Sequence, residues 1–174
     1  AAGLYGCHFY SSMTLAPLEK NNTPSQRSEL LRQVEANRTL SMTGDFGSVF
    51  YSAKFLGKLS QDIARRHYSC KALSPMICRK GVEKPLPPSS LALKGGVLSW
   101  SYDKCGPDPI RRYAVYAFPA HLSKSEIMDD GGDGIDNRYL VRICYGCSIA
   151  VPMGMSYAVT AIDGNSVESE PVFI

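Results

Sequence analysis

The chain has 174 residues, of which 44% are hydrophobic, and a formal net charge of +3. This length accommodates one ordinary domain or two small ones. No apolar run approaches the roughly 18 residues that span a bilayer, and the start "AAGLYGCHFY" lacks the basic region and long apolar core of a signal peptide. We expect a globular chain without a membrane span, and any export signal would lie outside these residues.

The charge is divided unevenly along the chain. Residues 1–80 carry a formal charge of +6, and residues 81–174 carry −3. The basic residues of the first half are scattered along predicted helices and form no run with interleaved aromatic residues. This pattern is typical of solvated helix faces and argues against nucleic acid as a partner.

The first half begins with a predicted strand, "GLYGCHFYSS", followed by a predicted helix, "TPSQRSELLRQVEAN". Thr23 is the expected N-cap, Pro24 suits the first helical position, and Gln26 completes a capping box. Leu30 and Val34 share one face of this helix. The sequence thus predicts a strand that leads into an amphipathic helix.

A second strand and a second helix follow in the same order. "FGSVFYSAKFL" predicts the strand, and "LSQDIARRHYSC" predicts the helix, with Leu59, Ile63 and His67 at helical spacing. Strand and helix alternate in this way in parallel α/β sheets and barrels. Residues 1–80 therefore have the pattern of an α/β region.

The stretch "CRKGVEKPLPPSS" separates this region from a different one. Pro85, Pro87 and Pro88 favour an extended backbone, so residues 81–88 are predicted to be a linker. Residues 89–174 contain short segments rich in Val, Ile, Tyr and Leu between turn residues, which predicts an all-β domain of six or seven strands in two packed sheets. The segments are "SLALKG", "VLSWSY", "RYAVYAFP", "RYLVRIC", "SYAVTAID" and "VESEPVFI".

Three of these segments carry a family resemblance. "LSWSY", "YAVYAF" and "YAVTAIDGNSVESEP" resemble the B, C and F–G strands of a fibronectin type III domain, over roughly residues 88–174. The resemblance implies that Trp100 is a core residue and that Tyr157 is the aromatic residue near the start of strand F. The chain departs from the family in "AHLSKSEIMDDGGDGID", which is more acidic and richer in glycine than a typical connection.

Two strand–helix units cannot close a barrel, which requires eight strands. "SELLRQVEANRTL", "GSVFYSAKFL" and "RRHYSCKALSPM" resemble the last two such units of the barrel in glycosyl hydrolase-like lipoproteins of Bacteroides-type bacteria, often described as family 10 glycosylhydrolase-like. In that family the barrel runs through a proline-rich linker into a fibronectin-like domain. The resemblance implies a carboxyl-terminal portion, an upstream barrel segment as its partner, and a location in the periplasm or at the cell surface.

A glycosidase needs two carboxylates, which barrel enzymes place at the carboxyl ends of strands. The predicted strand ends carry Tyr10 with two serines, and Tyr51 with Ser52 and Lys54, so the resemblance implies that the catalytic pair lies on earlier strands. We expect no hydrolysis by this chain alone and no cofactor. The nearby carboxylates are Glu19, Glu29, Glu35, Asp45 and Asp62, in predicted loops or on helix surfaces.

The same strand ends could instead bind substrate. Tyr10 and Tyr51 are predicted to stack against a sugar, with Ser52 and Lys54 as hydrogen-bond donors. The alternative is that the tyrosines cover the barrel rim or pack in a core. His8 has no evident carboxylate partner and is predicted to be a core histidine, although histidine often serves as a general base.

Two motifs suggest chemistry but lack the required context. "DDGGDGID" contains four aspartates, but their spacing differs from that of an EF-hand, so the sequence predicts an acidic loop and no metal site. The six cysteines include one C-x-x-C pair, Cys144 and Cys147, which follows a strand and opens no helix. This context argues against redox catalysis. Buried free thiols are the first interpretation, and one disulfide is the second.

Two functional hypotheses follow from these patterns. In the first, the chain is the scaffold or accessory part of a carbohydrate-active protein, and its incomplete α/β region exposes apolar edges that promote homo-oligomers. In the second, it is a self-contained glycan- or protein-binding module of the cell envelope. Both hypotheses predict the same β domain, and they differ over residues 1–80.

Overall fold

A computed structural model describes the chain over residues 9–20, 23–40, 46–57, 59–76, 83–102, 110, 112–129 and 134–174. The chain divides into two compact units, Ala1–Ser69 and Cys70–Ile174, and contains both helices and sheets. Within the described ranges, no helix combines the length and apolarity needed to cross a membrane. The prediction for His8 lies outside these ranges.

The first unit alternates strands with helices. Its two strands run parallel, and the register pairs Phe9 with Phe46 and Thr14 with Tyr51. The second strand ends earlier than predicted, because the chain turns into a 3₁₀ helix at Ala53–Phe55. A short helix that the sequence analysis did not predict follows the first strand. The elements are β1 (Phe9–Thr14), α1 (Ala16–Lys20), α2 (Pro24–Leu40), β2 (Phe46–Tyr51) and α3 (Leu59–His67).

The predicted capping box at the start of α2 is confirmed. The backbone N–H of Gln26 donates to Thr23 Oγ1 at 3.3 Å, and the N–H of Thr23 donates to Gln26 Oε1 at 3.2 Å. Two N–H groups that lack helical partners at this end are thereby satisfied. Pro24 occupies the first helical position, where its missing N–H costs nothing.

One face of the β1–β2 sheet forms the core of the first unit with the three helices. Met13 and its neighbour Leu15 are buried there, and Asn37 of α2 donates from Nδ2 to the Ser48 hydroxyl of β2 at 3.3 Å. The predicted apolar helix faces are confirmed by their burial. The core residues are Met13, Leu15, Leu18, Leu30, Val34, Leu59 and Ile63.

The second unit contains seven strands in two antiparallel sheets within the described residues. One sheet has the order β3-β4-β7 and the other β6-β5-β8-β9. Of these, β7 was not predicted, since it spans only three residues. The elements are β3 (Ser89–Lys94), β4 (Val97–Ser101), β5 (Arg112–Pro119), α4 (Lys124–Ile127), β6 (Leu140–Cys144), β7 (Ser148–Ala150), β8 (Met155–Ile162) and β9 (Val172–Phe173).

The two sheets share one apolar core. Trp100 of β4 is only 5% exposed, and its ring meets that of Tyr113 on β5 edge to face, with centroids 5.3 Å apart. Period-two alternation in the sequence predicts one shared face for Tyr113, Val115 and Ala117 of β5 and one for Tyr157, Val159 and Ala161 of β8. Both faces are confirmed, because these residues pack in this core. Its buried members are Leu98, Trp100, Tyr113, Val115, Tyr157, Val159 and Ala161.

The opposite face of the four-stranded sheet is covered as well. The segment between β5 and β6, predicted only as an acidic connection, packs Ile127 and Ile135 onto it, both of them buried. On this face Tyr116 is fully buried, and its hydroxyl donates to Glu168 Oε1 at 2.6 Å. The second cluster consists of Ala114, Tyr116, Phe118, Ile127, Ile135, Leu140, Ala158 and Ile162.

Candidate functional site

The structure separates the two tyrosines that the sequence analysis placed at neighbouring strand ends. Tyr51 is the last residue of β2, but Tyr10 lies near the amino end of β1, opposite Gly47. The expected placement of Tyr10 after its strand is therefore wrong. The two register positions are four residues apart along the strands, which corresponds to about 13 Å. The residue beside Tyr51 in the register is Thr14, which the sequence analysis missed.

Both tyrosines nevertheless lie on the same side of the sheet. Register partners in a parallel pair project to the same face, so alternate residues from Tyr10 and from Gly47 form one surface. None of the helices described in the first unit buries it: Tyr10 is 53% exposed and Tyr51 is 72% exposed. We call this surface the open face, and it consists of Tyr10, Ser12, Thr14, Gly47, Val49 and Tyr51.

Gly47 determines how Tyr10 lies on the open face. A Cβ atom built on Gly47 would overlap Cδ1 and Cε1 of the Tyr10 ring. The missing side chain thus lets the ring lie directly over the β2 backbone, with its outer surface exposed to solvent. A flat, half-exposed aromatic ring next to hydroxyl groups is a suitable platform for the apolar face of a sugar.

The two polar residues predicted to help bind substrate, Ser52 and Lys54, directly follow β2 at its carboxyl end. Ser52 is partly exposed and its carbonyl accepts from the N–H of Phe55 at 3.1 Å, and the Tyr51–Ser52 peptide bond is cis. The Nζ atom of Lys54 lies 4.4 Å from the centroid of the Phe55 ring. Tyr51, Ser52 and Lys54 therefore form one cluster at the carboxyl end of β2, and Tyr10 lies apart from it.

The carboxylates whose side chains are described in the first unit lie on helices. Glu29 accepts two hydrogen bonds from Arg32 and one from Gln33, and these contacts hold the pKa of its carboxyl below the usual value. Asp62 lies in the first turn of α3. The open face is built from aromatic rings, hydroxyls and one valine, so it offers binding groups without an acid–base pair. Asp45 lies outside the described residues.

A histidine–carboxylate pair joins α2 to α3, and the sequence analysis assigned its histidine to packing alone. His67 Nδ1 lies 3.0 Å from Glu35 Oε2, and the histidine side chain is 7% exposed. The pair borders a groove of about 430 Å³, whose walls include Arg32 and Arg66. A general base must reach the proton that it abstracts. His67 Nε2 is buried and has no hydrogen-bond partner among the described residues, so this geometry favours a structural role.

The acidic loop and the cysteines of the second unit can be placed in part. Asp136 accepts from the backbone N–H and the side chain of Arg138, both at 2.8 Å, whereas Asp130 and Asp133 lie outside the described residues. Among the residues with described positions, no cluster of three metal-ligating side chains occurs. The expectation of buried thiols is wrong for Cys70 and Cys147, which are both exposed.

Comparison with known proteins adds no relative: no family model matches the sequence, and no curated protein is significantly similar to it.

Proposed function

We propose that this chain is the carboxyl-terminal portion of a carbohydrate-active, glycosyl hydrolase-like protein. In this proposal the first unit is the end of a (β/α) barrel and the second is a fibronectin type III-like domain that serves as scaffold. The open face is the observation that carries the proposal. Parallel sheets are normally covered on both faces, and a barrel strand directs alternate residues inward. A parallel pair with helices on one face and tyrosines exposed on the other suits a barrel wall whose remaining strands belong to the upstream segment.

Two features of the second unit support the fibronectin-like part of the proposal. The three- and four-stranded sheets, with Trp100 between them, match the arrangement expected for that architecture. At the start of β8 the hydroxyl of Tyr157 donates to the carbonyl of Pro152, five residues upstream. This contact resembles the tyrosine corner of immunoglobulin-like sandwiches, in which the hydroxyl bonds back to the preceding connection.

In the proposed protein the open face supplies a sugar subsite and the catalytic pair comes from earlier strands. Tyr10 offers a ring held over Gly47, and Tyr51 offers a second exposed ring about 13 Å away along the strands. Ser52 and Lys54 add donors at the Tyr51 end. The family resemblance also implies export to the periplasm or cell surface, which belongs to the same proposal.

A glycan array with the full chain and three single variants tests the subsite. Tyr10→Ala and Tyr51→Ala should each weaken binding about tenfold, the equivalent of about 1.4 kcal/mol for one lost stacking platform. Tyr145→Ala is the matched control, because Tyr145 is 81% exposed and lies in the second unit. Binding that survives both open-face substitutions would contradict the subsite.

The second candidate is a self-contained binding module that uses the loops of the second unit. Its support is the exposure of two large apolar side chains in adjacent connections, Tyr145 at 81% and Met153 at 71%. This candidate predicts the reverse result, with glycan or protein binding lost in Tyr145→Ala and retained in Tyr10→Ala.

Solution size tests the claim that further strands cover the open face. If the face is a barrel wall, the isolated chain should form homo-oligomers through it. Val49→Lys places a charge at its centre and should restore monomers in sedimentation velocity. Val97→Lys is the control, since Val97 is similarly exposed, at 44%, on β4. A wild-type chain that is monomeric at every concentration would count against the barrel proposal.

A further inference from the structure

The turn between β6 and β7 connects the two sheets of the second unit and carries a pair of cysteines. Cys144 is the last residue of β6, and in the β5–β6 ladder it pairs with Tyr113. Cys147 immediately precedes β7, and its carbonyl accepts from the N–H of Trp100 at 3.0 Å. Both ends of the turn are thus anchored in strands, one in each sheet.

The two thiols donate to different acceptors, and the Cys144 thiol donates to the carbonyl of Gly146, with sulfur and oxygen 3.6 Å apart. The Cys147 thiol donates to Tyr113 Oη, with sulfur and oxygen 3.6 Å apart. Cys144 projects to the same face of its sheet as Tyr113, as register partners do, and packs against the core between the sheets. Both cysteines are free thiols in this structure. The fold therefore brings together two thiols that are only three residues apart in the chain.

The two thiols differ in access to solvent. Cys147 is exposed, whereas Cys144 is partly buried, and burial raises the pKa of the Cys144 thiol. The thiolate is the form that attacks a disulfide, and access limits the attack. An external reagent should therefore meet Cys147 first, and Cys144 is placed to react second.

We infer that Cys144 and Cys147 form an oxidisable dithiol that exchanges with low-molecular-mass disulfides. The Cys147 thiolate attacks one sulfur of the small disulfide and releases its first thiolate. Cys144 then loses its proton to solvent and attacks Cys147 Sγ, which releases the second small thiol. The protein gains one intramolecular disulfide, and the small disulfide is reduced to two thiols.

This site is a thiol-modification site and is independent of the proposed sugar subsite. It also differs from a redox catalyst of the thioredoxin type, because the pair opens no helix and Cys144 has a raised pKa. Closing the disulfide removes the S–H donor to Tyr113, whose ring contacts Trp100. Oxidation of the two cysteines therefore changes a hydrogen bond of Tyr113, a residue of the aromatic core between the sheets.

The test uses the full chain equilibrated with reduced and oxidised glutathione at graded ratios, followed by alkylation, digestion and mass spectrometry. The expected result is a peptide that carries Cys144 and Cys147 without alkyl groups and lighter by two hydrogen atoms, in most molecules at the oxidising end. Full alkylation of both cysteines at that end, or a bridge from Cys147 to any other cysteine, would overturn the inference.

Single substitutions test the order of attack. Cys144→Ser should accumulate a mixed disulfide with glutathione at Cys147, whereas Cys147→Ser should leave Cys144 mostly alkylated. Cys70→Ser is the matched control, since Cys70 is another exposed cysteine, and it should not change the result. A mixed disulfide that forms equally at Cys144 when Cys147 is absent would contradict the assigned order.

Discussion

The sheets of the two units differ in how many of their faces are covered. The β1–β2 sheet buries one face under helices and leaves Tyr10 and Tyr51 exposed on the other. The β6-β5-β8-β9 sheet buries both faces, one against the second sheet and the other under the segment that contains Ile127 and Ile135. A sheet with two covered faces has no face left for a ligand or for further strands. A parallel pair with one exposed face has such a surface. The proposed function assigns recognition to the first unit and scaffolding to the second on the basis of this difference.

The largest expected difference between the units is in the free energy of unfolding. Leu98→Ala empties a fully buried position in the core between the sheets and should cost about 2–5 kcal/mol. Val49→Ala on the open face, measured at a concentration where the chain is monomeric, should stay within about 0.5 kcal/mol, because the side chain is 47% exposed. Urea titration followed by far-UV circular dichroism measures both variants. A cost above about 1 kcal/mol for Val49→Ala would mean that the open face is covered in solution.

A second prediction concerns the polar contact on the outer face of the four-stranded sheet. Tyr116→Phe removes the hydroxyl that donates to Glu168, and hydrogen bonds to charged groups contribute about 1.5–3 kcal/mol. We expect a loss of about 2 kcal/mol at pH 7. Tyr145→Phe is the control, since Tyr145 is 81% exposed, and its stability should not change.

The same contact predicts a dependence on alkaline pH. Burial and the neighbouring Glu168 raise the pKa of Tyr116 above its ordinary value. The folded state therefore keeps this proton at pH values where the unfolded state loses it, so the contribution of Tyr116 is complete below about pH 10 and falls as the pH rises further. The slope is about 1.4 kcal/mol per pH unit. Urea midpoints between pH 9 and pH 11 should fall less steeply for Tyr116→Phe than for the wild type.

The capping box of α2 provides a smaller test within the first unit. Thr23→Ala removes the side chain that accepts from the N–H of Gln26 and should cost about 1 kcal/mol. Ser28→Ala, in the interior of the same helix, is the control and should have little effect or a slightly stabilising one. If thermal unfolding shows the same loss of stability for both variants, the Thr23 cap contributes no more than an ordinary position of α2.

The smallest expected effect on stability accompanies a large expected effect on binding. Gly47→Ala inserts a Cβ where the Tyr10 ring lies, and the ring can rotate away into solvent, so stability should change by less than about 0.5 kcal/mol. Binding of any glycan that needs Tyr10 should fall as far as it does in Tyr10→Ala. Gly146→Ala is the control, because a Cβ there would contact nothing within 4 Å. Unchanged glycan binding in Gly47→Ala would mean that recognition does not depend on the position of the Tyr10 ring over Gly47.

Local sequence signals predicted most of the regular elements. The capping box located the start of α2, and period-two alternation assigned the two faces of β5 and β8 correctly. Elements with weak local signals were missed: α1 has five residues and β7 has three. The end of β2 was placed too late because "AKFL" continues the apolar pattern, although the chain turns at Ala53.

The candidate site was less predictable, because it depends on register. The tyrosines were identified from the sequence, but the strand pairing decides that Tyr10 lies opposite Gly47 and away from Tyr51. The contact between Glu35 and His67 joins two helices that are far apart in sequence, so no spacing rule indicates it. The C-x-x-C pair was recognised from the sequence, and only the structure shows that the Cys147 thiol donates to Tyr113 on another strand.

The sequence by itself determined the division into an α/β region and an all-β region, together with the buried faces of α2, α3, β5 and β8. These properties follow from composition and periodicity, which act over a few residues. The tertiary structure alone decided that one sheet keeps an exposed face, that the acidic connection covers the outer face of the other, and that the Cys147 thiol donates to Tyr113. Each of these depends on contacts between segments distant in the chain, whose free energy no local pattern encodes.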